Sequence, residues 1–351
     1  MAKRSAIIIG GTGQIGQAVA QNLLQSGWDV SLTHRGNSKL PETLAQQGAK
    51  SIIHDREKSS LGEAIGSGAD VVIDTIAYDA KHGQQLLDVQ NDVGAFIVIS
   101  SSSVYCDEKG RSLDEALLNG FPDLPEAMTE SQSTLPPGDD NYSTKKVALE
   151  LCLLEKSTSP VTILRPCAIH GVNSVHPREW WFIKRMLDGR SEIPLAYKGQ
   201  SRFHTTAVAN IAGLIDVIVS KASPPILNIG DERCLTVAEI GQTLADYLGF
   251  SVRLVDGDNI FPAKIGGTPW SVPTPFMIDS SAARSLGFVP QSYQTTIGPV
   301  CDWLMDVAKR NLPAKLFPVF DTYKDNPFDY GAEDMFLLSD RTDKRAMASP
   351  E

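Results

Sequence analysis

The sequence predicts an α/β protein built on a doubly wound parallel sheet, with a smaller C-terminal α/β substrate lobe. Three observations carry this expectation. Short apolar runs of high strand propensity alternate with helix-compatible stretches through the first half of the chain. The first run is followed at once by a glycine-rich turn, and the alternation loosens from about residue 171.

Residues 6–9 read Ala-Ile-Ile-Ile, a strand, and the turn Gly10-Gly11-Thr12-Gly13-Gln14-Ile15-Gly16 follows. Ile15, Val19 and Leu23 then recur at helical spacing, and Gly27 offers a stop. A glycine fingerprint has physical meaning in this strand–turn–helix context. Gly10 permits the tight turn, Gly13 admits close approach of backbone to a pyrophosphate, and Gly16 lets helix pack on strand. Thr12, Gln14 and Ile15 share the turn and are candidate cofactor contacts. The helix N-terminus adds N–H groups and the positive end of its dipole. The spacing is GxxGxxG rather than GxGxxG.

The second strand, residues 29–33, leads into Thr33-His34-Arg35-Gly36 with no carboxylate at its end. A carboxylate there would bond a ribose 2′-hydroxyl, whereas an arginine would accept a 2′-phosphate. Arg35 presents a planar fork for such a phosphate, or is a solvated surface arginine. This reading favours NADP over NAD as cofactor.

Further strands are expected at 51–54, 71–74, 95–99 and 161–164. The strand at 95–99 ends in Ser100-Ser101-Ser102-Ser103-Val104-Tyr105, and in a doubly wound sheet that serine run lands beside the nicotinamide. A helix over 142–156 opens with Tyr142-Ser143-Thr144-Lys145-Lys146. Residues i and i+4 share a helical face, so Tyr142 and Lys146 point into one space. A lysine charge nearby stabilises tyrosinate and lowers a phenol pKa otherwise about 10, which suits general acid–base work. Lys145, one position off that face, is expected in solvent, and Tyr105 is expected to pack rather than react.

The glycine turn, the strand-end serines, the YxxxK pair and Leu164-Arg165-Pro166 together resemble the extended short-chain dehydrogenase/reductase superfamily, which includes sugar-nucleotide epimerases and dehydratases. The resemblance spans roughly residues 5–310 and is greatest to NAD-dependent epimerase/dehydratase-like members. It implies a Rossmann sheet, a nicotinamide cofactor and Tyr142 as acid/base, with Lys146 holding the nicotinamide ribose and Ser101 orienting substrate (Ser102 as fallback). It also implies that Asp55 contacts the adenine amine, that Ala77 lines the cofactor channel, and that Pro166 and Cys167 close over the carboxamide. A homodimer is implied by the resemblance alone. Sugar 4,6-dehydratases place an aspartate and a glutamate where this chain has Ser102 and Ser103, which disfavours that reaction. Sugar-nucleotide epimerases use an arginine to hold pyrophosphate; Arg202 stands one residue out of that register, with Phe203 in the expected slot.

In the substrate lobe, residues 171–338, the sequence predicts helices over 180–188 and 237–248 and a strand at 226–229, with part of this region returning to the core. His170, Asn173, Arg178, Trp180 and Trp181 are candidates for a pocket mouth, the tryptophans either stacking on a ring or filling the core. His204 and Thr205 are substrate contacts or ordinary strand residues. Residues 106–140, inserted in the core spanning 1–170, are acidic and proline-punctuated, and read as a lid or as disorder. Residues 261–275 read as loop, the stretch after Leu312 as an extended tail packed to about Leu338, and 339–351 as disordered.

The chain has 351 residues, 42% hydrophobic and 21% charged, enough for a large core. A net charge of −10 argues against broad nucleic-acid binding, and the resemblance implies a small-molecule partner. No apolar run approaches a bilayer span. Five scattered cysteines without CxxC spacing fit reduced thiols in a cytoplasm, and the six histidines show no metal-ligand spacing. The expected activity moves a hydride between nicotinamide and a carbinol or carbonyl carbon, as net oxidoreduction or as epimerisation. The alternative is a dinucleotide-binding regulator or RNA-associated scaffold with little turnover.

Overall fold

The structure, a computed structural model, describes residues 3–259, 263–310, 317–323 and 326–348. Strands in chain order are β1 (Ser5–Ile9), β2 (Asp29–His34), β3 (Lys50–Ile53), β4 (Val71–Asp74), β5 (Phe96–Ile99), β6 (Val161–Pro166), β7 (Ala168–His170), β8 (Glu192–Leu195), β9 (Thr205–Ala207), β10 (Ile226–Ile229) and β11 (Arg253–Asp256). Helices are α1 (Gln14–Gln25), α2 (Glu42–Gln46), α3 (Leu61–Ile65), α4 (Ala80–Leu87), α5 (Ala116–Asn119), α6 (Tyr142–Lys156), α7 (Trp180–Leu187), α8 (Val208–Ile218), α9 (Val237–Leu248), α10 (Ser281–Ser285), α11 (Tyr293–Thr296), α12 (Gly298–Lys309) and α13 (Gly331–Ala348). They fall into two compact units: residues 1–171, 204–233 and 277–293 in the first, and 172–203, 234–276 and 294–351 in the second.

The first unit holds a seven-stranded parallel sheet in the order β10-β6-β5-β4-β1-β2-β3. This is a Rossmann-like α/β fold. Alternate residues of each strand feed two cores, as the pleat requires. Ile8, Val30, Leu32, Ile73 and Leu227 pack with Val19 and Leu23 of α1 and Ile211 and Ile215 of α8. On the other face Ile7, Ile9, Val72, Phe96 and Val98 pack with Leu86 of α4 and with Leu149 and Leu153 of α6. The strand order reverses between β1 and β4, where such sheets take ligands at the strand carboxyl ends.

Residues 106–140 are folded. Asp107 is the hub: its carboxylate accepts from the backbone N–H groups of Lys109, Arg111 and Asp123 and from the Arg111 side chain, which hold it down to about 2 although burial works in the opposite direction. Met128 is buried and exchanges backbone hydrogen bonds with Met277 and Asp279.

In the second unit β8 pairs with β11 in parallel, and α7 packs on α9. The helix α13 corrects the expectation of an extended and then disordered tail. Its first turn carries Glu333 and Asp334, where the dipole favours acidic residues. Both are tied back, Glu333 to Arg185 at 2.6 Å and Asp334 to Arg190 at 2.5 Å, long-range pairs that no local pattern announces. Residues 311–316 and 349–351 of that tail, and 261–262 of the expected loop, lie outside the described residues.

Candidate active site

The turn after β1 is built by contacts that exclude side chains. Gly10 has φ +78°, and a Cβ there would stand 2.5 Å from Ile76 Cγ2 and 2.7 Å from Thr75 Oγ1 at the end of β4. A Cβ on Gly16 would lie 2.6 Å from both the Gly10 carbonyl oxygen and Gly11 Cα. One on Gly11, which the sequence reading passes over, would meet Leu32 at 2.3 Å. Gly13 is different: a Cβ would meet only the Gly10 oxygen, at 3.3 Å. No side chain caps α1, so its first turn keeps N–H groups for a ligand. Gln14 Oε1 is buried with no partner among the described residues, and Ile15 packs into the core. Thr12 Oγ1 is 2.7 Å from Ser38 Oγ, which ties the loop after β2 to the turn. Arg35 is exposed on that loop. Asp55 lies two residues beyond β3, where Lys58 and, more weakly, Arg35 lower its pKa. These features fit a dinucleotide: a cradle that side chains would fill, unspent N–H groups, and a cation beyond β2.

A buried ion pair, invisible to local pattern, shapes the turn after β4. Arg56 donates to Asp74 Oδ2 at 2.7 Å, and Asp74 Oδ1 accepts from the backbone of Ile76 and Ala77. The fully buried Ala77 then accepts from Lys146 Nζ at 2.5 Å, and Ile99 O at the end of β5 accepts from the same ammonium at 2.9 Å. Lys146 therefore ties β4, β5 and α6 together.

Asn141 caps α6 in a reciprocal capping box with Thr144, and Asp114 accepts from the Ser143 N–H. Tyr142 opens the helix and is 39% exposed. Ser101 caps the short turn after β5, accepting from the Ser103 N–H, and its hydroxyl acts on the Tyr142 phenol, while Ser102 is buried. The first unit thus brings Ser101, Tyr142 and Lys146 together. Their electrostatics differ from the expectation that lysine lowers the phenol. Burial pushes Tyr142 up to about 12, and the Ser101 hydroxyl opposes this without cancelling it. Lys146 lies 5.6 Å from the Tyr142 ring centroid but spends its protons on two carbonyls, and burial brings it down to about 8. Lys145 is not in open solvent: it is half-buried, 5.6 Å over the Tyr78 ring.

Beneath the strand ends lies a polar network. Glu150 accepts from Ser100 Oγ at 2.5 Å and pairs with Arg165 at 2.5 Å. The Arg165 guanidinium sits 4.9 Å over the Tyr105 ring, and the Tyr105 hydroxyl donates to Asn228 at 2.7 Å. Tyr105 packs, as expected. Pro166 is buried at the end of β6, and the Cys167 N–H donates to Thr206 Oγ1.

His170 does not line a pocket mouth. It is 3% exposed, its Nε2 is 2.9 Å from Asp231 Oδ2, and its ring lies against Tyr293. With Asp231 ionised, Nε2–H must be the donor. His204, just before β9, and Thr205, its first residue, join this network by bonds to the Asp231 carbonyl and carboxylate. In the second unit Asn173 is exposed at φ +64°, Arg178 is half-buried, and Arg202 is exposed with one bond to Cys234 O. Trp181 is core, 1% exposed under the Arg185 guanidinium at 3.4 Å, whereas Trp180 rests against Phe317.

Among the described residues no helix is long and apolar enough to cross a membrane. The chain is similar to the chloroplast stem-loop binding protein of 41 kDa b of Arabidopsis thaliana, 27% identical over 270 residues, which are 71% of this chain. The chain spans 64% of the length of that relative. Solved structures share the fold. The UDP-N-acetylglucosamine 4-epimerase of Methanobrevibacter ruminantium has a TM-score of 0.66 at 18% identity, covering 88% of this chain and 100% of that one. The UDP-glucuronic acid 4-epimerase of Bacillus cereus, in complex with UDP-glucuronic acid and NAD, has 0.64 at 19%, covering 86% and 99%. The UDP-glucose 4-epimerase of Thermotoga maritima, with UDP-glucose, has 0.65 at 19%, covering 87% and 99%. The family model for the NAD-dependent epimerase/dehydratase family matches residues 6–230, and the chain belongs to that family.

Proposed function

We propose that the first unit binds a nicotinamide dinucleotide over its glycine turn and that the protein moves a hydride at a carbinol or carbonyl carbon of a small molecule. The observation that carries this is the Lys146 ammonium, held by the carbonyls of Ala77 and Ile99 and 5.6 Å from the Tyr142 ring, with Ser101 at the end of β5 acting on the phenol, beside the strand ends that flank the glycine turn. The bound dinucleotide supplies the hydride acceptor for oxidation and the donor for reduction. Tyr142 takes the hydroxyl proton as carbinol becomes carbonyl, and returns it in the reverse step. Ser101 donates to the same oxygen. The phenol must come down from about 12 for work near neutral pH; the Ser101 hydroxyl acts in that direction, and a cation close to the phenolate acts likewise.

The relatives whose names specify UDP-sugars make nucleotide sugars the first substrates to try, with epimerisation the outcome if the dinucleotide stays bound. Ser102 and Ser103 offer no carboxylate, which disfavours 4,6-dehydration. Arg35 favours NADP through its fork for a 2′-phosphate. The test compares wild type with Tyr142→Phe on UDP-sugars and both dinucleotides. A loss of turnover of about 10²–10⁴-fold with unchanged dinucleotide affinity supports the reading. Full activity in Tyr142→Phe sinks it.

A second reading rests on the relative named for stem-loop binding: this chain holds a structured RNA and turns over little. Gel-shift titration of a stem-loop RNA against net charge −10 separates the two. Sub-micromolar, structure-dependent binding without turnover favours RNA.

A further inference from the structure

The turn after β4 carries an aromatic residue that the catalytic reading does not use. Tyr78 follows Ala77, and its ring centroid lies 5.6 Å from that of Tyr142 at an interplanar angle of 54°. The backbone beneath it is fixed on both sides. The Tyr78 N–H donates to His82 Nδ1 at 2.9 Å, and His82 Nε2 is held 2.8 Å from Glu57. Ala77 is pinned to Asp74 and Lys146. Lys145 Nζ stands 5.6 Å over the Tyr78 ring, within cation–π range. Tyr142 begins α6, with no preceding helical turn to pack on, so the aromatic contact limits its rotamers.

Resting on the function proposed above, we infer that Tyr78 is a positioning residue for Tyr142: its ring, clamped by Lys145, holds the phenol against Ser101. At 5.6 Å the tilted pair lies within the roughly 4.5–7 Å range of favourable aromatic contacts, worth about 0.5–1.5 kcal/mol beyond burial. Such a bias confines the ring to the orientation that reaches Ser101. The groups that bear on the phenol are the Ser101 hydroxyl after β5 and the ionisable Asp114 before α6, Tyr78 after β4, and Lys146 on α6 itself. Tyr78 and Asp114 raise its pKa, and Ser101 lowers it.

The test uses the full chain with Tyr78→Phe, Tyr78→Leu and Tyr78→Ala, each checked for a wild-type circular dichroism spectrum. Tyr142 ionisation is read from ultraviolet difference titration by subtracting the matching Tyr142→Phe background. Tyr78→Phe keeps the ring, so kcat should stay within about twofold. Tyr78→Ala, and Tyr78→Leu if alanine fails to fold, should lower kcat at least tenfold with KM and dinucleotide affinity held. The titration midpoint of Tyr142 should then fall towards the ordinary tyrosine value of about 10 as water reaches the phenol. Unchanged kcat and midpoint in the leucine or alanine variant would overturn the proposal. So would a loss in Tyr78→Phe as large as in Tyr78→Ala, since the hydroxyl and not the ring would then matter. If no substrate turns over, the reading of the site fails, but the midpoint still judges Tyr78.

Discussion

Alanine substitutions at Gly13 and Gly16 should separate binding from folding, although the two glycines lie three residues apart in one turn. At Gly16 an added methyl carbon would sit 2.6 Å from the Gly10 carbonyl oxygen and 2.6 Å from Gly11 Cα. Both are backbone atoms, so no rotamer change relieves the clash and α1 must lift from β1. Overpacking of this kind costs about 1–3 kcal/mol. At Gly13, φ is −76° and the methyl meets one atom at 3.3 Å, so a shift of a few tenths of an ångström accommodates it. Alanine is a poorer N-cap than glycine but restricts the unfolded chain, so the net change should stay within about 1 kcal/mol. Under the proposed dinucleotide site, however, the Gly13 methyl would stand where the pyrophosphate approaches the backbone. Losing one charge-assisted bond of about 1.5–3 kcal/mol weakens binding by about ten- to 150-fold. Thermal melts and calorimetric titration with NAD and NADP check both arms. Gly13→Ala should melt near wild type and bind poorly, while Gly16→Ala should melt several degrees lower. Wild-type affinity in Gly13→Ala would refute the assignment of the cradle.

Three other outcomes follow from the same structure. Glu150→Ala leaves Arg165 buried without its ion partner and should destabilise the protein by about 3–5 kcal/mol by denaturant unfolding, with Glu150→Gln milder. Asp231 is buried at 1% exposure; desolvation disfavours its charge, but His170, Thr205 and the Ala207 N–H outweigh that and hold it at about 2. Because the folded pKa is depressed, its contribution, of order 2 kcal/mol, is present above the unfolded value near 4 and lost as pH falls towards 2. Asp231→Asn should flatten the stability profile in that window, and an unchanged profile would remove Asp231 from the account. Arg35→Ala should weaken NADP binding about tenfold or more and spare NAD; equal losses for both would mean that Arg35 does not read the 2′-phosphate.

The sheet was legible because several of its parallel strands are short apolar runs, as at 6–9, 71–73 and 96–99, and because glycine and serine mark where β1 and β5 end. Tyr142 and Lys146 were legible because i and i+4 positions share a face whatever the fold. Gly11 was missed because its constraint is Leu32 on the neighbouring strand, not its own turn. The Arg56–Asp74 and Glu150–Arg165 pairs join residues 18 and 15 positions apart through tertiary packing. His170 looked like a site residue because it follows β6, but Asp231, 61 residues later, claims it. The phenol's pKa defied the sequence argument for a related reason. Proximity of Lys146 was readable, whereas its commitment to the Ala77 and Ile99 carbonyls depends on where β4 and β5 end.

The most direct measurement is deuterium transfer from a reduced dinucleotide labelled at the nicotinamide C4 position to a UDP-4-keto sugar, followed by mass spectrometry. The account predicts label on the carbinol carbon with wild-type protein, and none with Tyr142→Phe although that variant binds the dinucleotide equally well. Label transfer by Tyr142→Phe at the wild-type rate would contradict it.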